Sequence, residues 1–226
     1  MALDTREITR PAAPPSAQVP WWRRPWIVPL ALIVVAYLVF QIRPYVPEET
    51  APLPAHDGFP MYYPLLVVHM IGGTLAMLTV ILQVWPRIRI RHPAVHRISG
   101  RVYVVSALVS AVIGLVIVRF APVVGQIGVT CSTLLWFGFT VAGFVWARKR
   151  NWELHRRFML YSFAIVMNNV WGVLIVNTIM ALGIEVDFNY LLEGARWIGW
   201  VANLMLVQWW LYRTAGRPLG LPGRGR

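Results

Sequence analysis

The stretch VYVVSALVSAVIGLVIVRF, residues 102–120, decides the fold of this chain. Its 19 residues include a single charged side chain, that of Arg119, and a helix of about 20 apolar residues can cross about 30 Å of hydrocarbon. The sequence therefore predicts an all-α membrane protein, built as a bundle of six transmembrane helices. The other five spans are expected at residues 26–42, 62–85, 123–147, 158–183 and 197–212.

The composition of the whole chain agrees with a membrane protein. Of its 226 residues 58% are hydrophobic and only 13% are charged, and the mean hydropathy is +0.57, whereas an ordinary soluble domain has about 25% charged residues. A water-soluble globule is therefore excluded. The single cysteine, Cys131, also excludes an internal disulfide and any centre held by several thiolates.

Basic residues are concentrated on one side of the predicted bundle. Eighteen of the 21 lysines and arginines fall before the first span or after the second, fourth or sixth. Such an excess marks the cytoplasmic side, so both termini are predicted to be cytoplasmic. The formal charge of +12 is then explained by topology and by contact with anionic lipid headgroups. A nucleic-acid partner is not expected.

The same pattern divides the chain into four segments. Residues 1–25 are rich in proline and are predicted to form a disordered cytoplasmic tail. Residues 26–42 are predicted to form the first transmembrane anchor helix, and residues 62–213 a five-helix membrane core. Residues 214–226 are predicted to form a basic cytoplasmic tail.

Two histidines occupy matching positions at the cytoplasmic ends of separate spans. His96 is followed by Arg97, and His155 is followed by Arg156 and Arg157. At about 1.5 Å of rise per residue, the two imidazoles are expected within about 5 Å of the same depth. They are therefore predicted to meet across the bundle.

Two histidines on different helices can bind one haem iron from opposite faces of the macrocycle, which a pair on a single helix cannot do. The sequence thus predicts His96 and His155 as the iron ligands of one haem b, in an electron-transfer protein whose expected partner is a quinone. The haem propionates are expected to accept charge-assisted hydrogen bonds from neighbouring arginines. The candidates for this role are Arg97, Arg101, Arg156 and Arg157.

One histidine is predicted deep inside the membrane. His69 lies about 12 Å from the outer end of its span, and ionisable side chains at that depth are typically functional because they are costly. Together with Asn168 and Asn169 it forms a candidate intramembrane polar site for a quinone or a proton. Packing of the histidine and hydrogen bonds between helices are the alternative roles for these side chains.

Other interpretations of the histidines stay open at this stage. His92, His96 and His155 are spaced to complete a three-histidine site for a non-haem metal, although Pro93 is typical of a helix start and leaves His92 before it. The histidines and arginines can also contact lipid headgroups or a protein partner, in a non-enzymatic transporter or an assembly subunit of a membrane complex. The residues do not decide whether the protein is an enzyme.

Four motifs carry a resemblance to a known family. They are His69 with Gly73, HPAVHRISGRVY at 92–103, HRRFM at 155–159 and WIGWVANLMLVQWW at 197–210. Together they resemble a family of predicted bacterial inner-membrane proteins that is defined as a domain of unknown function, over about residues 62–213. The resemblance implies a multi-span membrane protein and no particular reaction. The arrangement is also similar in architecture to the four-helix core of b-type cytochromes, an analogy that does not carry function.

Overall fold

A computed structural model describes residues 26–46, 49, 51–54, 56 and 58–215 of the chain. The predicted N-terminal tail lies outside the described residues, as does the predicted C-terminal tail except for Thr214 and Ala215. The described residues form α-helices joined by short connections, and no strand occurs among them. The all-α prediction is confirmed. The helices are α1 (Ile27–Ile42), α2 (Tyr62–Val84), α3 (Pro86–Arg91), α4 (Pro93–Ile117), α5 (Gln126–Arg148), α6 (Trp152–Val166), α7 (Asn168–Ala181) and α8 (Phe188–Arg213).

Within the described part of the chain, five helical segments are long and apolar enough to cross a membrane. They correspond to the first five predicted spans, and the fifth consists of α6 and α7, which are separated only by Met167. The helix α8 has 26 residues and is not one of the five, because polar and charged side chains such as Glu193 and Arg196 lower its apolar content. The five segments are Ile27–Tyr45, Tyr62–Val84, Pro93–Phe120, Gln126–Arg148 and Trp152–Ala181.

The helices α4 and α6 begin earlier than the apolar stretches that predicted them. Pro93 opens α4, since its fixed φ and missing N–H suit the first helical position. The side chain of Asn151 accepts a hydrogen bond of 3.1 Å from the backbone N–H of Leu154 and so caps α6. Both helices therefore extend into the basic segments, and His96 and His155 lie within their first turns.

A short helix that the sequence did not predict, α3, connects α2 to α4. Trp85 has an extended backbone, with φ −78° and ψ 110°, and ends α2. Pro86 then begins the new helix, which continues to Arg91. The connection is therefore a helical corner and not an irregular loop.

The helices α2 and α4 pack through small residues that let their backbones approach closely. A β-carbon added at Gly72 would lie 3.0 Å from the carbonyl oxygen of Ser106 and 3.0 Å from the Cβ of Ser110. Close approach of this kind is how helices associate in lipid, where no hydrophobic effect drives them together. Around this contact the buried core collects side chains from six helices, among them Val34, Met77, Ala107, Trp136, Ile165 and Val170.

We expect the substitution Gly72→Ala to destabilise the protein by about 1–3 kcal/mol, because the atoms that the new methyl group meets belong to or adjoin the backbone of α4 and cannot rotate away. Unfolding in detergent, followed by circular dichroism, measures this change.

The matched control is Gly138→Ala on α5, where no atom lies within 4 Å of the added β-carbon. It is expected to be neutral or to stabilise the protein by up to about 1 kcal/mol, because alanine favours helix more than glycine does. Equal losses of stability in the two variants would contradict the close packing of α2 on α4.

Candidate functional site

His96 lies on the first turn of α4 and is half-buried. The side-chain amide of Gln83 on α2 donates hydrogen bonds to the backbone carbonyl of His96, at 2.9 Å, and to the hydroxyl of Ser99, at 2.7 Å. The Nδ1 atom of His96 is buried and has no hydrogen-bond partner among the described residues. Buried ring nitrogens are normally hydrogen-bonded, and the unpartnered Nδ1 therefore makes His96 a candidate ligand-binding residue.

His155 lies on the first turn of α6, and its ring is held from two sides. Its Nδ1 is 2.8 Å from the carbonyl oxygen of Gly143 on α5. Because a carbonyl oxygen only accepts, Nδ1 carries the proton and Nε2 keeps the lone pair. The indole of Trp152 packs edge-on against the imidazole, with ring centroids 6.3 Å apart. A bond from Nδ1 to a backbone carbonyl is the usual support of a histidine whose Nε2 is a metal ligand.

The structure brings the two histidines to one level of the bundle. The hydroxyl oxygens of Tyr103 and Ser162 are 2.5 Å apart. Tyr103 lies seven residues after His96 on α4, and Ser162 lies seven residues after His155 on α6. Seven residues are about two helical turns, or about 10.5 Å, so each histidine lies on the same face of its helix as the hydroxyl that follows it. Consistent with this, His155 lies within electrostatic range of His96.

A closed ring of hydrogen bonds joins α4, α5 and α6 and so sets the relative level of His96 and His155. The hydroxyl of Thr140 donates to the carbonyl of Trp136 at 2.7 Å and lies 2.7 Å from Ser162, while the indole N–H of Trp136 donates to Tyr103 at 3.3 Å. Since each hydroxyl has one proton, Ser162 donates to Thr140 and Tyr103 donates to Ser162. The exposed fractions of Tyr103, Ser162 and Thr140 are 1%, 0% and 0%. A buried polar network in which every group is satisfied specifies one packing arrangement.

Sequence reasoning missed this ring. None of its four residues is predicted as a site residue from the sequence. The available signal was the equal spacing, since each of the two basic-histidine motifs is followed by a hydroxyl seven residues later.

The four arginines that were expected near the haem propionates face two directions. Arg97 and Arg101 on α4 are exposed, and Arg97 lies within electrostatic range of His96. The guanidinium of Arg156 lies instead 4.7 Å from the ring centroid of Trp210 on α8. Arg157 donates from Nε to the hydroxyl of Tyr161 at 3.1 Å. Arg156 and Arg157 thus have aromatic partners of their own.

His69 joins α2 to α4 in the apolar part of the bundle. Its Nδ1 lies 2.8 Å from the backbone carbonyl oxygen of Ser110. The side-chain hydroxyl of Ser110 donates a hydrogen bond of 3.0 Å to the backbone carbonyl of His69. A β-carbon on Gly114 would lie 3.1 Å from the Cε1 atom of His69. These contacts give His69 a packing role between the two helices.

The asparagines expected to share a site with His69 have other neighbours. Asn168 on α7 packs against Gly199 on α8, and its Oδ1 is buried without a partner among the described residues. Asn169 is exposed, and its amide donates to the carbonyl of Val166 at 3.4 Å. The structure does not bring these side chains together with His69, and a common site stays a prediction.

The three-histidine alternative is not formed. Among the residues that the structure describes, no three histidine, cysteine or acidic side chains come together as a group that could hold a metal ion. His92 is the residue before α4, with φ −128° and ψ 62°, so it does not share the helical geometry of His96. A haem iron needs only two protein ligands, which a pair of histidines can supply.

Residues 66–211 match the family model described as predicted membrane protein (DUF2306). The chain belongs to this family. The matched region runs from α2 into α8 and contains His69, His96, His155 and the hydrogen-bonded ring, whereas α1 lies outside it. The family resemblance of the motifs is therefore confirmed, and the likeness to b-type cytochromes stays a hypothesis. No curated protein and no solved structure matches this sequence.

We expect Tyr103→Phe to lower the free energy of unfolding by about 1–2 kcal/mol, because the substitution removes the acceptor of the Trp136 indole and the donor to Ser162 while keeping the aromatic ring. Thermal unfolding in detergent measures the loss. Tyr190→Phe serves as the control, since Tyr190 is 80% exposed, and it is expected to behave as the unsubstituted protein. A Tyr103→Phe protein as stable as this control would show that the ring does not hold the three helices.

Proposed function

We propose that this protein binds one haem b between His96 and His155 and transfers electrons through it. The observation that carries the proposal is the pair of imidazoles at one level on α4 and α6, with the Nε2 of His155 left free by the bond from Nδ1 to Gly143. The Nδ1 of His96 is buried without a partner among the described residues, so this nitrogen is available to a ligand. The two imidazoles would hold the haem iron.

The chain's own residues have distinct tasks in this proposal. Gly143 and Trp152 orient the ring of His155, and Gln83 holds the first turn of α4 so that His96 keeps its level. Arg97 and Arg101 are exposed beside His96 and would hold the propionates. When bound, the haem supplies a one-electron carrier, and a quinone dissolved in the bilayer is the proposed electron partner.

The proposal includes a sixth span, formed by α8. This helix runs antiparallel to α6, since Tyr161 donates to Gln208 and the amide of Asn203 donates to the carbonyl of Ala164 at 2.9 Å. A helix that lies along a spanning segment in this way crosses the same depth of the membrane. Its polar groups are consistent with this position, because Asn203 is also bonded to the indole of Trp171 at 3.0 Å.

Charge and aromatic residues support an orientation in a bacterial inner membrane with both termini in the cytoplasm. Lys149 lies 5.0 Å from the ring of Trp146, and Arg213 lies 5.4 Å from the ring of Trp209, at the same end of the bundle as His96 and His155. Basic residues mark the cytoplasmic side, and tryptophans belong at the membrane interface. We call this end the basic end of the bundle.

Absorbance spectra of the purified protein, oxidised and reduced with dithionite, test the proposed haem. After expression with sufficient haem, we expect a Soret band that is lost or strongly reduced in His96→Ala and in His155→Ala, because a b-type haem is held by its axial ligands. His56→Ala is the matched control, since His56 lies near the opposite end of the bundle and stacks on Tyr62 with ring centroids 4.7 Å apart. It is expected to keep the full spectrum.

Size-exclusion profiles show whether each variant still folds, so that loss of haem is not confused with loss of the protein. Absence of a Soret band from the folded, unsubstituted protein would falsify the proposal. A band that persists in both folded histidine variants would do the same. Either result would favour the other class of function, a transporter or an assembly subunit without a chromophore.

A further inference from the structure

A groove of about 610 Å³ opens on the side of the bundle between α5, α6 and α8. Phe139 on α5 and Leu204, Met205 and Trp209 on α8 form much of its wall. Met205 is 68% exposed and Trp209 is 56% exposed, so the groove faces outward into the surrounding hydrocarbon. Its apolar wall suits an aliphatic chain.

Two polar side chains lie within this apolar wall. Tyr161 donates a hydrogen bond to the Oε1 atom of Gln208, and both line the groove. The Nε2 group of Gln208 keeps two N–H donors with no partner in the part of the chain that the structure describes. Unsatisfied donors are costly in an apolar environment, so the groove favours an occupant that presents an acceptor oxygen at this level.

Two arginines lie at the end of the groove. The antiparallel pairs Tyr161 with Gln208 and Ala164 with Asn203 set the register of α6 against α8. Continuing that register by one helical turn places Arg157 level with the last residue of α8, Arg213. Arg157 lies one turn before the lining residue Tyr161 and Arg213 one turn after the lining residue Trp209, so both arginines adjoin the groove on the side of the basic end.

Each of these guanidinium groups is held against an aromatic ring of the groove. Arg157 lies 6.0 Å from the ring centroid of Tyr161 and bonds to its hydroxyl at 3.1 Å, and Arg213 lies 5.4 Å from the ring centroid of Trp209. Neither arginine forms an ion pair with a carboxylate of the described residues. Two positive charges thus remain available at the level where lipid headgroups meet the hydrocarbon.

We propose that this groove is a binding site for an anionic phospholipid. One acyl chain lies along Phe139, Leu204 and Met205, and Arg157 and Arg213 bind the phosphate. Arginine is suited to this role because its planar donor array matches phosphate oxygens. The amide of Gln208 donates to an ester carbonyl of the lipid. Charge complementarity selects the lipid, since an uncharged amphiphile such as a quinone gives the two arginines no counter-charge. The site needs no haem and does not depend on the proposed function.

Native mass spectrometry of the detergent-solubilised protein, titrated separately with phosphatidylglycerol and phosphatidylcholine, tests the site. We expect the unsubstituted protein to bind phosphatidylglycerol at least about tenfold more tightly, since each basic residue near the membrane surface contributes to anionic lipid binding. The double variant Arg157→Gln with Arg213→Gln is expected to reduce this preference to about twofold or less. The control is Arg91→Gln, which removes one positive charge at the exposed end of α3. It is expected to keep the full preference for phosphatidylglycerol.

A second variant separates the groove from simple attraction between charges. Met205→Trp fills the groove and leaves both arginines in place, and it is expected to reduce the preference for phosphatidylglycerol to about twofold or less, as the double variant does. Equal affinity of the unsubstituted protein for the two lipids would overturn the proposal, as would a preference unchanged in the double variant or in Met205→Trp. Extraction of a stoichiometric quinone that Met205→Trp loses would assign the groove to that occupant instead.

Discussion

The arrangement of this bundle depends on one closed ring of hydrogen bonds among Tyr103, Ser162, Thr140 and Trp136. In the interior of a membrane protein no water is at hand for an unsatisfied hydroxyl or indole, so such groups must find partners within the bundle. The ring provides those partners with no donor left over, and it can do so only when α4, α5 and α6 have one particular register. The position of both histidines follows from that register.

Hydrogen bonds from imidazole to a backbone carbonyl occur at two depths of the molecule and have different consequences. At His69 the bond to Ser110 joins α2 to α4, beside Gly114, in a tightly packed contact. At His155 the same type of bond, to Gly143, orients a ring that has a second histidine at its own level. The same type of bond therefore joins two helices at His69 and orients a ring at His155. His96 differs from both because its Nδ1 is buried without such a bond.

Five of the six spans could be predicted from the sequence, because charged residues are costly in hydrocarbon and are therefore rare in each of these segments. The helix starts could not be predicted from apolarity, since Pro93 and the Asn151 cap extend α4 and α6 into the basic segments. The matching depth of His96 and His155 followed from helical rise alone. The ring was missed because no single residue in it is unusual, and its pattern appears only when two motifs are aligned.

The directions of the basic side chains depended on tertiary structure. Arg97 and Arg156 occupy equivalent places after their histidines, yet Arg156 packs on Trp210 because α8 lies beside α6. The neighbours of His69 and Asn168 also depended on tertiary structure, since His69 packs on α4 and Asn168 packs on α8. Spacing along one chain predicts which residues share a helical face, and it does not predict which helix that face meets.

The proposal that His96 and His155 face each other at one level can be tested by thiol cross-linking. In a protein whose only cysteine has been replaced, Cys131→Ala, the pair His96→Cys with His155→Cys is treated with a short bifunctional thiol reagent in the membrane. An internal cross-link is expected for this pair and not for His56→Cys with His155→Cys, whose positions lie toward opposite ends of the bundle. If both introduced thiols react with a monofunctional reagent and the first pair still fails to cross-link, the facing arrangement is wrong.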